Sequence, residues 1–208
     1  LVRWTLMTIA SQGRLMFSAL SALSLLTAAG LAALSPRRKR WLWPAVMGAV
    51  MLAAAVSLPF STIRPAYAQP RALSEADIPA TATRLNVTYG GTMRLLAYQV
   101  DKGELAPGDE LAVTLYWQAL APMAQDYSVF VHLLASNDLI IGQRDMYPGQ
   151  GTYPTSLWAP GEIIADTYVV PVARTALTPA EAELEVGLYE LSSGARLPAR
   201  DASGASLG

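Results

Sequence analysis

The chain has few residues that could do chemistry. His132 is the single histidine of the 208-residue sequence, and it lies inside the apolar run of residues 129–134. A catalytic histidine needs a nucleophile or a carboxylate partner, and the sequence identifies none. We therefore predict that His132 is a core or half-buried strand residue, and we identify no catalytic residue in the chain.

Three acidic residues, Asp145, Glu162 and Asp166, fall near two of the predicted strands. They could supply oxygen ligands to calcium, but we favour the alternative that they lie on a solvated sheet edge. The sequence contains no cysteine, no metal-spaced histidine pair and no glycine-rich phosphate loop. We therefore predict no metal site and no cofactor, and no basic aromatic surface indicates nucleic acid.

Four aromatic residues form a third candidate site: Tyr116, Tyr147, Tyr153 and Trp158. They fall on predicted polar strand faces or in the loop of residues 147–154. Exposed flat rings can pack against the apolar faces of sugars, so we predict possible glycan contact here. The alternative is that these rings cover the ends of the domain.

These candidate residues all lie in a region whose sequence pattern predicts β-strands. Residues 110–120 alternate clearly, with Leu111, Val113, Leu115 and Trp117 on one face. Short apolar segments separated by Gly/Pro turns, with no helical period, predict an antiparallel sandwich over residues 84–200, immunoglobulin-like or jelly-roll-like. Its predicted strands are residues 94–100, 110–120, 127–135, 139–144, 163–170 and 183–191, with residues 201–208 as a tail.

The first third of the chain has the pattern of a membrane anchor. Residues 15–34 and 41–60 carry no charge and flank a basic cluster at 37–40. A 20-residue helix is about 30 Å long, the thickness of the bilayer's hydrocarbon core. We predict a transmembrane helical hairpin over residues 15–60 with a hinge at 35–40. Two buried soluble helices are the alternative, which does not explain the placement of the charges.

The charges also predict which side of the membrane each part occupies. Residues 1–70 contain seven basic residues and no acidic one, whereas residues 71–208 have a formal net charge of −8. Basic loops favour the cytoplasmic side, so residues 61–208 are predicted to be extracytoplasmic. Residues 66–68, Ala-Tyr-Ala, also resemble a signal-peptide cleavage site. Cleavage after Ala68 would leave the β domain outside as well.

The remaining segments complete the predicted domain order. Residues 1–14 read as the end of a preceding helix or loop, which predicts a fragment of a longer multi-spanning protein; a leaderless or trimmed anchor is the alternative. Pro59, Pro65 and Pro70 are expected to end the second helix. Residues 61–83 are predicted to be a linker, because they lack sustained periodicity.

The sequence resembles the C-terminal region of bacterial multi-spanning membrane glycosyltransferases related to the dolichyl-phosphate-mannose protein mannosyltransferases. The appended β-sandwich of that family carries the more specific part of the resemblance, and the membrane part is less specific. The matching segments are residues 12–17, 63–67, 128–133, 143–145, 158–162, 166–168 and 186–189.

The resemblance implies transfer of a sugar from a polyprenyl-phosphate donor to a glycan or protein acceptor outside the cell membrane. The family's catalytic acids lie in an early extracytoplasmic loop, and no residue here matches them. The implied partners are the lipid bilayer, the remaining helices of the parent protein, the donor and the acceptor. The alternative from another class is a complete, non-enzymatic binding or interaction module anchored in the bacterial inner membrane.

Overall fold

The computed structural model describes residues 20–34, 36, 38, 41–178 and 181–207. The chain divides into two compact units, Leu1–Tyr67 and Ala68–Gly208. The first contains helices and the second contains β-sheets. Each unit is described by itself below.

The first unit contains helix α1 (Leu20–Leu34) and helix α2 (Leu42–Leu58). Helix α2 continues through a π-helical turn (Pro59–Ile63) into the short helix α3 (Arg64–Ala66). The stretch Leu42–Ile63 is 22 residues long with a mean hydropathy of 1.9, and none of it is buried. Within the described residues, it is the one helix long and apolar enough to cross a membrane.

The helix continues past Pro59 and Pro65 and ends at Ala66, before Pro70. The N–H of Arg64 donates to the carbonyl of Pro59, five residues earlier. Proline has no N–H to give to the preceding turn, and a π turn is a known local adjustment of a helix. The hydroxyl of Ser61 donates to the carbonyl of Ser57 at 3.0 Å, so this side chain is satisfied within the helix.

The second unit consists of two antiparallel sheets. One has the strand order β6-β3-β2-β1-β8 and the other has the order β5-β4-β7. The strands are β1 (Thr83–Tyr89), β2 (Met93–Val100), β3 (Glu110–Ala119), β4 (Tyr127–Ala135), β5 (Ile140–Met146), β6 (Ile163–Pro171), β7 (Ala182–Glu190) and β8 (Ala199–Arg200).

The two sheets enclose one core. Its largest fully buried side chain is Trp117 of β3, which contacts the ring of Tyr89 edge-on at 5.5 Å. The hydroxyl of Tyr89 donates to the carbonyl of Val186 at 2.9 Å and so connects β1 to β7 in the other sheet. The predicted inward face of β3 is confirmed, since its four apolar residues are all buried.

The outer face of the five-stranded sheet is covered by residues 73–82, which we call the strap. The amide of Leu73 donates to the carbonyl of Ile163 at 2.8 Å. Ile78 and Ala82 are buried in a second apolar cluster with Leu96, Ala97, Tyr116 and Ile163 of the sheet. Most of the strap therefore packs as part of the fold, although the sequence analysis assigned these residues to a linker.

The predicted tail also takes part in the fold. Strand β8 pairs with β1, and Arg200 forms a bridge with Ser206. Six strands lie within two residues of their predicted bounds at either end, whereas β1 and β8 had not been identified as strands.

We predict that replacing Ile78 by Ala destabilises the β unit by about 2–4 kcal/mol, because the strap would lose a buried side chain and leave a cavity over the sheet. Ile78 is 4% exposed, whereas Leu177 is 87% exposed and provides the control. Urea unfolding of the full chain in detergent micelles, followed by tryptophan fluorescence, measures both. Equal, small effects of Ile78→Ala and Leu177→Ala would contradict the packing of the strap.

Candidate functional site

His132 lies at the centre of a charged cluster on the outer face of the three-stranded sheet. Alternate residues of β4 (Val129, Val131 and Leu133) belong to the core, so Phe130 and His132 face outwards. The Nε2 atom of His132 lies 3.0 Å from Oδ1 of Asp145 on β5. Its Nδ1 atom lies 3.4 Å from Oε2 of Glu185 on β7. The imidazole thus bridges carboxylates from both neighbouring strands.

The same face also carries a cation stacked on an aromatic ring. The guanidinium of Arg196 lies 4.5 Å from the centroid of the Phe130 ring and 2.8 Å from Oε1 of Glu185. The Phe130 ring lies over Gly187, where an added Cβ would collide with it. This packing explains why Phe130 and His132 are 4% and 7% exposed although both face away from the core.

This cluster lacks the arrangement needed for nucleophilic catalysis. Both ring nitrogens of His132 face carboxylates, and in the part of the chain that the structure describes no hydroxyl donates to the ring. The prediction of a buried strand histidine is confirmed. Its two acidic partners were missed, because they are distant in sequence and only the strand register brings them beside it.

The three acidic residues considered for calcium do not form one site. Asp145 contacts His132, whereas the carboxylate of Glu162 accepts from the hydroxyl of Tyr153 at 3.0 Å and from the amide of Ala159 at 2.8 Å. Asp166 lies on the edge strand β6 but is buried, so the expectation of a solvated position is wrong for this residue. Over the described residues, no group of three His, Cys, Asp or Glu side chains could hold a metal ion.

Asp166 points into the core. It is the register partner of Leu115, a core residue, and it is 4% exposed. Burial raises the pKa of this carboxyl, although the nearby backbone amides of Gly149 and Gln150 favour its ionised form. Burial and the Asp166 carboxylate also raise the pKa of Tyr168 well above its usual value. Asp166 therefore places a titratable carboxyl group among the core residues.

Three of the four candidate glycan-binding rings are buried. Tyr116 is 6% exposed and lies under the strap. Tyr153 and Trp158 stack with their centroids 6.2 Å apart, and Nε1 of Trp158 donates to the carbonyl of Tyr153. Burial and the Glu162 hydrogen bond raise the pKa of Tyr153 to about 12. The expectation of exposed stacking faces is wrong for these three rings, and Tyr147 alone is half-buried.

An apolar groove of about 280 Å³ lies at the end of the unit formed by the β4–β5 hairpin and the segment after β6. Leu139 and Leu177, which line it, are 60% and 87% exposed. The groove has no titratable residue among its lining side chains, which are Ala135, Ser136, Asn137, Leu139, Ile140, Ile141, Ala173, Thr175, Ala176 and Leu177. It can therefore bind an apolar group but cannot transfer protons.

The fold defines the class of the chain: a two-sheet antiparallel β domain that is preceded in sequence by an apolar helix. Among the described residues, we identify no catalytic arrangement in this domain. No protein-family model and no curated protein matches the chain. A solved structure of a β-glucuronidase from glycoside hydrolase family 2 is similar to it with a TM-score of 0.37 and 9% identity. That match covers 50% of this chain and 11% of the other, and the likeness is too distant to assign a function.

We predict that Asp166→Asn stabilises the protein more at pH 7 than at pH 4.5. A carboxyl whose pKa is raised by folding binds its proton more tightly in the folded state. The folded state therefore gains stability as the pH falls towards the unfolded pKa and loses it as the pH rises. Asparagine is neutral at both pH values.

The measurement is the difference in unfolding free energy between the variant and the natural protein at each pH, with the exposed Asp138→Asn as control. A difference for Asp166→Asn that does not change between the two pH values would contradict the effect of burial on this carboxyl.

Proposed function

We propose that the chain is the C-terminal, membrane-anchored part of a bacterial multi-spanning glycosyltransferase that uses a polyprenyl-phosphate-linked sugar. In this proposal, helices α1 and α2 form the last transmembrane hairpin, and the β unit is an extracytoplasmic accessory domain. The β unit positions the acceptor or glycan, or packs on the catalytic bundle, and does not itself catalyse transfer.

The observation that carries the anchoring is the apolar helix Leu42–Ile63. It is about 33 Å long at 1.5 Å per residue, which matches the hydrocarbon core of a bilayer. None of its side chains is buried in the structure, so they have no protein core to cover them. Lipid is the environment that suits an exposed, uncharged helix of this length.

The charge distribution supports the orientation. Arg37, Arg38, Lys39 and Arg40 precede the helix, and the acidic β unit follows it. Basic residues beside a membrane helix favour the cytoplasm. In the proposal, the basic segment is therefore inside and the β unit is outside the inner membrane.

The accessory role rests on the chemistry of the β unit. Its histidine and most of its candidate acidic and aromatic residues are occupied with contacts inside the fold. The sequence resemblance, rather than the site, supplies the link to glycosyltransferases. The rival proposal is a complete, non-enzymatic anchored module, which the compactness of the β unit favours.

The coding sequence upstream of Leu1 separates these two proposals. Further apolar helices and an acidic extracytoplasmic loop in the same frame support the glycosyltransferase. An in-frame stop codon close to Leu1 contradicts it and supports the anchored module.

We predict that the Leu177→Cys variant reacts with a membrane-impermeant maleimide on intact spheroplasts, and that the Ser35→Cys variant reacts only after the membrane is permeabilised. The protein has no cysteine, so each variant carries one reactive thiol. Leu177 is exposed on the β unit, and Ser35 precedes the basic cluster. The opposite labelling pattern would place the β unit in the cytoplasm and overturn the proposed orientation.

A further inference from the structure

Both ring nitrogens of His132 lie beside a carboxylate, but a neutral imidazole can donate a hydrogen bond to only one of them. Nε2 lies 3.0 Å from Asp145 and Nδ1 lies 3.4 Å from Glu185. A neutral imidazole has one N–H, whereas an imidazolium has two. In the neutral ring, donation to Asp145 leaves the lone pair of Nδ1 facing a second carboxylate.

The buried Nδ1 atom is consistent with this count. It has no hydrogen-bond partner within the described residues, although Glu185 is its nearest charged neighbour. The side chain of His132 is 9% exposed, so water can compensate little for a missing partner. A second proton would let each ring nitrogen donate to a carboxylate.

The charged groups around the ring have a net negative charge, which favours a positive charge on the imidazole. Asp145 faces it from β5 and Glu185 from β7, and Arg196 already pairs with Glu185 at 2.8 Å. Glu183 lies on the same face of β7 but beyond the His132 row, opposite Leu134. Arg144 lies opposite Val131, on the other face of β5. Two carboxylates and one guanidinium therefore surround the imidazole.

We propose that His132 acts as a proton-operated clasp that ties both outer strands of the three-stranded sheet to the central one. With both nitrogens protonated, the ring donates to Asp145 on β5 and to Glu185 on β7, so β4 is connected through side chains to each neighbour. When the second proton leaves, the link to Glu185 is lost, and Glu185 remains paired with Arg196 alone.

Because the second proton adds a side-chain link between β4 and β7, the clasp stabilises the β unit more in acid than in base. A group that binds a proton more tightly in the folded state adds stability at low pH and loses it as the pH rises. This direction is the same as that expected for Asp166, so the two contributions must be separated by variants. The inference concerns the β unit and does not depend on the identity of the parent enzyme.

The test uses the full chain in detergent micelles and exploits the fact that His132 is the only histidine in the sequence. Every imidazole signal in a ¹⁵N-edited NMR spectrum then belongs to this residue. We expect both ring nitrogens to show the chemical shifts of protonated imidazolium at pH 5.5, and one of them to lose its proton by pH 8. A neutral ring at pH 5.5 in the folded protein would overturn the proposal.

Thermal unfolding of four proteins gives the second readout. At pH 5.5 the natural protein should have a higher unfolding midpoint than His132→Gln. This difference in midpoint should be at least about 3 °C smaller at pH 8. Glu185→Gln should reduce this pH dependence, whereas Glu183→Gln, on the same strand and face, should leave it unchanged. Equal pH profiles for the natural protein and Glu185→Gln would overturn the proposal even if His132→Gln fails to fold.

Discussion

The β unit depends on a constraint that a simple sandwich does not have: its five-stranded sheet has an apolar core face and also an apolar patch on its outer face. One face packs against the three-stranded sheet around Trp117, and the other face packs against the strap. Burying a side chain such as Ile78 contributes roughly 1.5–3 kcal/mol, a sizeable part of the net stability of a domain. The strap begins at Leu73, five residues after the unit begins at Ala68.

The clearest strand prediction is that of β3, whose side chains alternate without interruption. The period of two in β3 gave both its bounds and its buried face. Strand β1 was missed although residues 84–89 alternate between polar and apolar side chains. The irregularity lies in the backbone, where the register shifts between Arg84 and Val87 and Asn86 has a positive φ of 68°. The strap was missed because Leu73, Ile78 and Ala82 have no periodic spacing, and only the finished sheet shows what they cover. Proline suggested the end of helix α2, but a π turn carries the helix past Pro59.

The candidate site was harder to predict, because side-chain environments are set by contacts between distant segments. The burial of His132 followed from its apolar neighbours, but its carboxylate partners depend on the pairing of β4 with β5 and β7. Tyr116 was assigned to a polar face of β3, but it is buried because the strap packs against it. The sequence also gave no signal that Asp166 faces the core. Several polar groups of the β unit thus connect its own strands and loops.

Amide hydrogen exchange of the full chain is the most direct test of the central claim that the strap and the two sheets form one cooperative unit. The amides of Leu73 and Ala82 donate to the carbonyls of Ile163 and Pro79 at 2.8 and 3.0 Å. We expect them to exchange with the same opening free energy as the amide of Trp117 in the centre of β3. Rapid exchange at Leu73 and Ala82 while Trp117 stays protected would show that the strap detaches on its own, and would contradict the account.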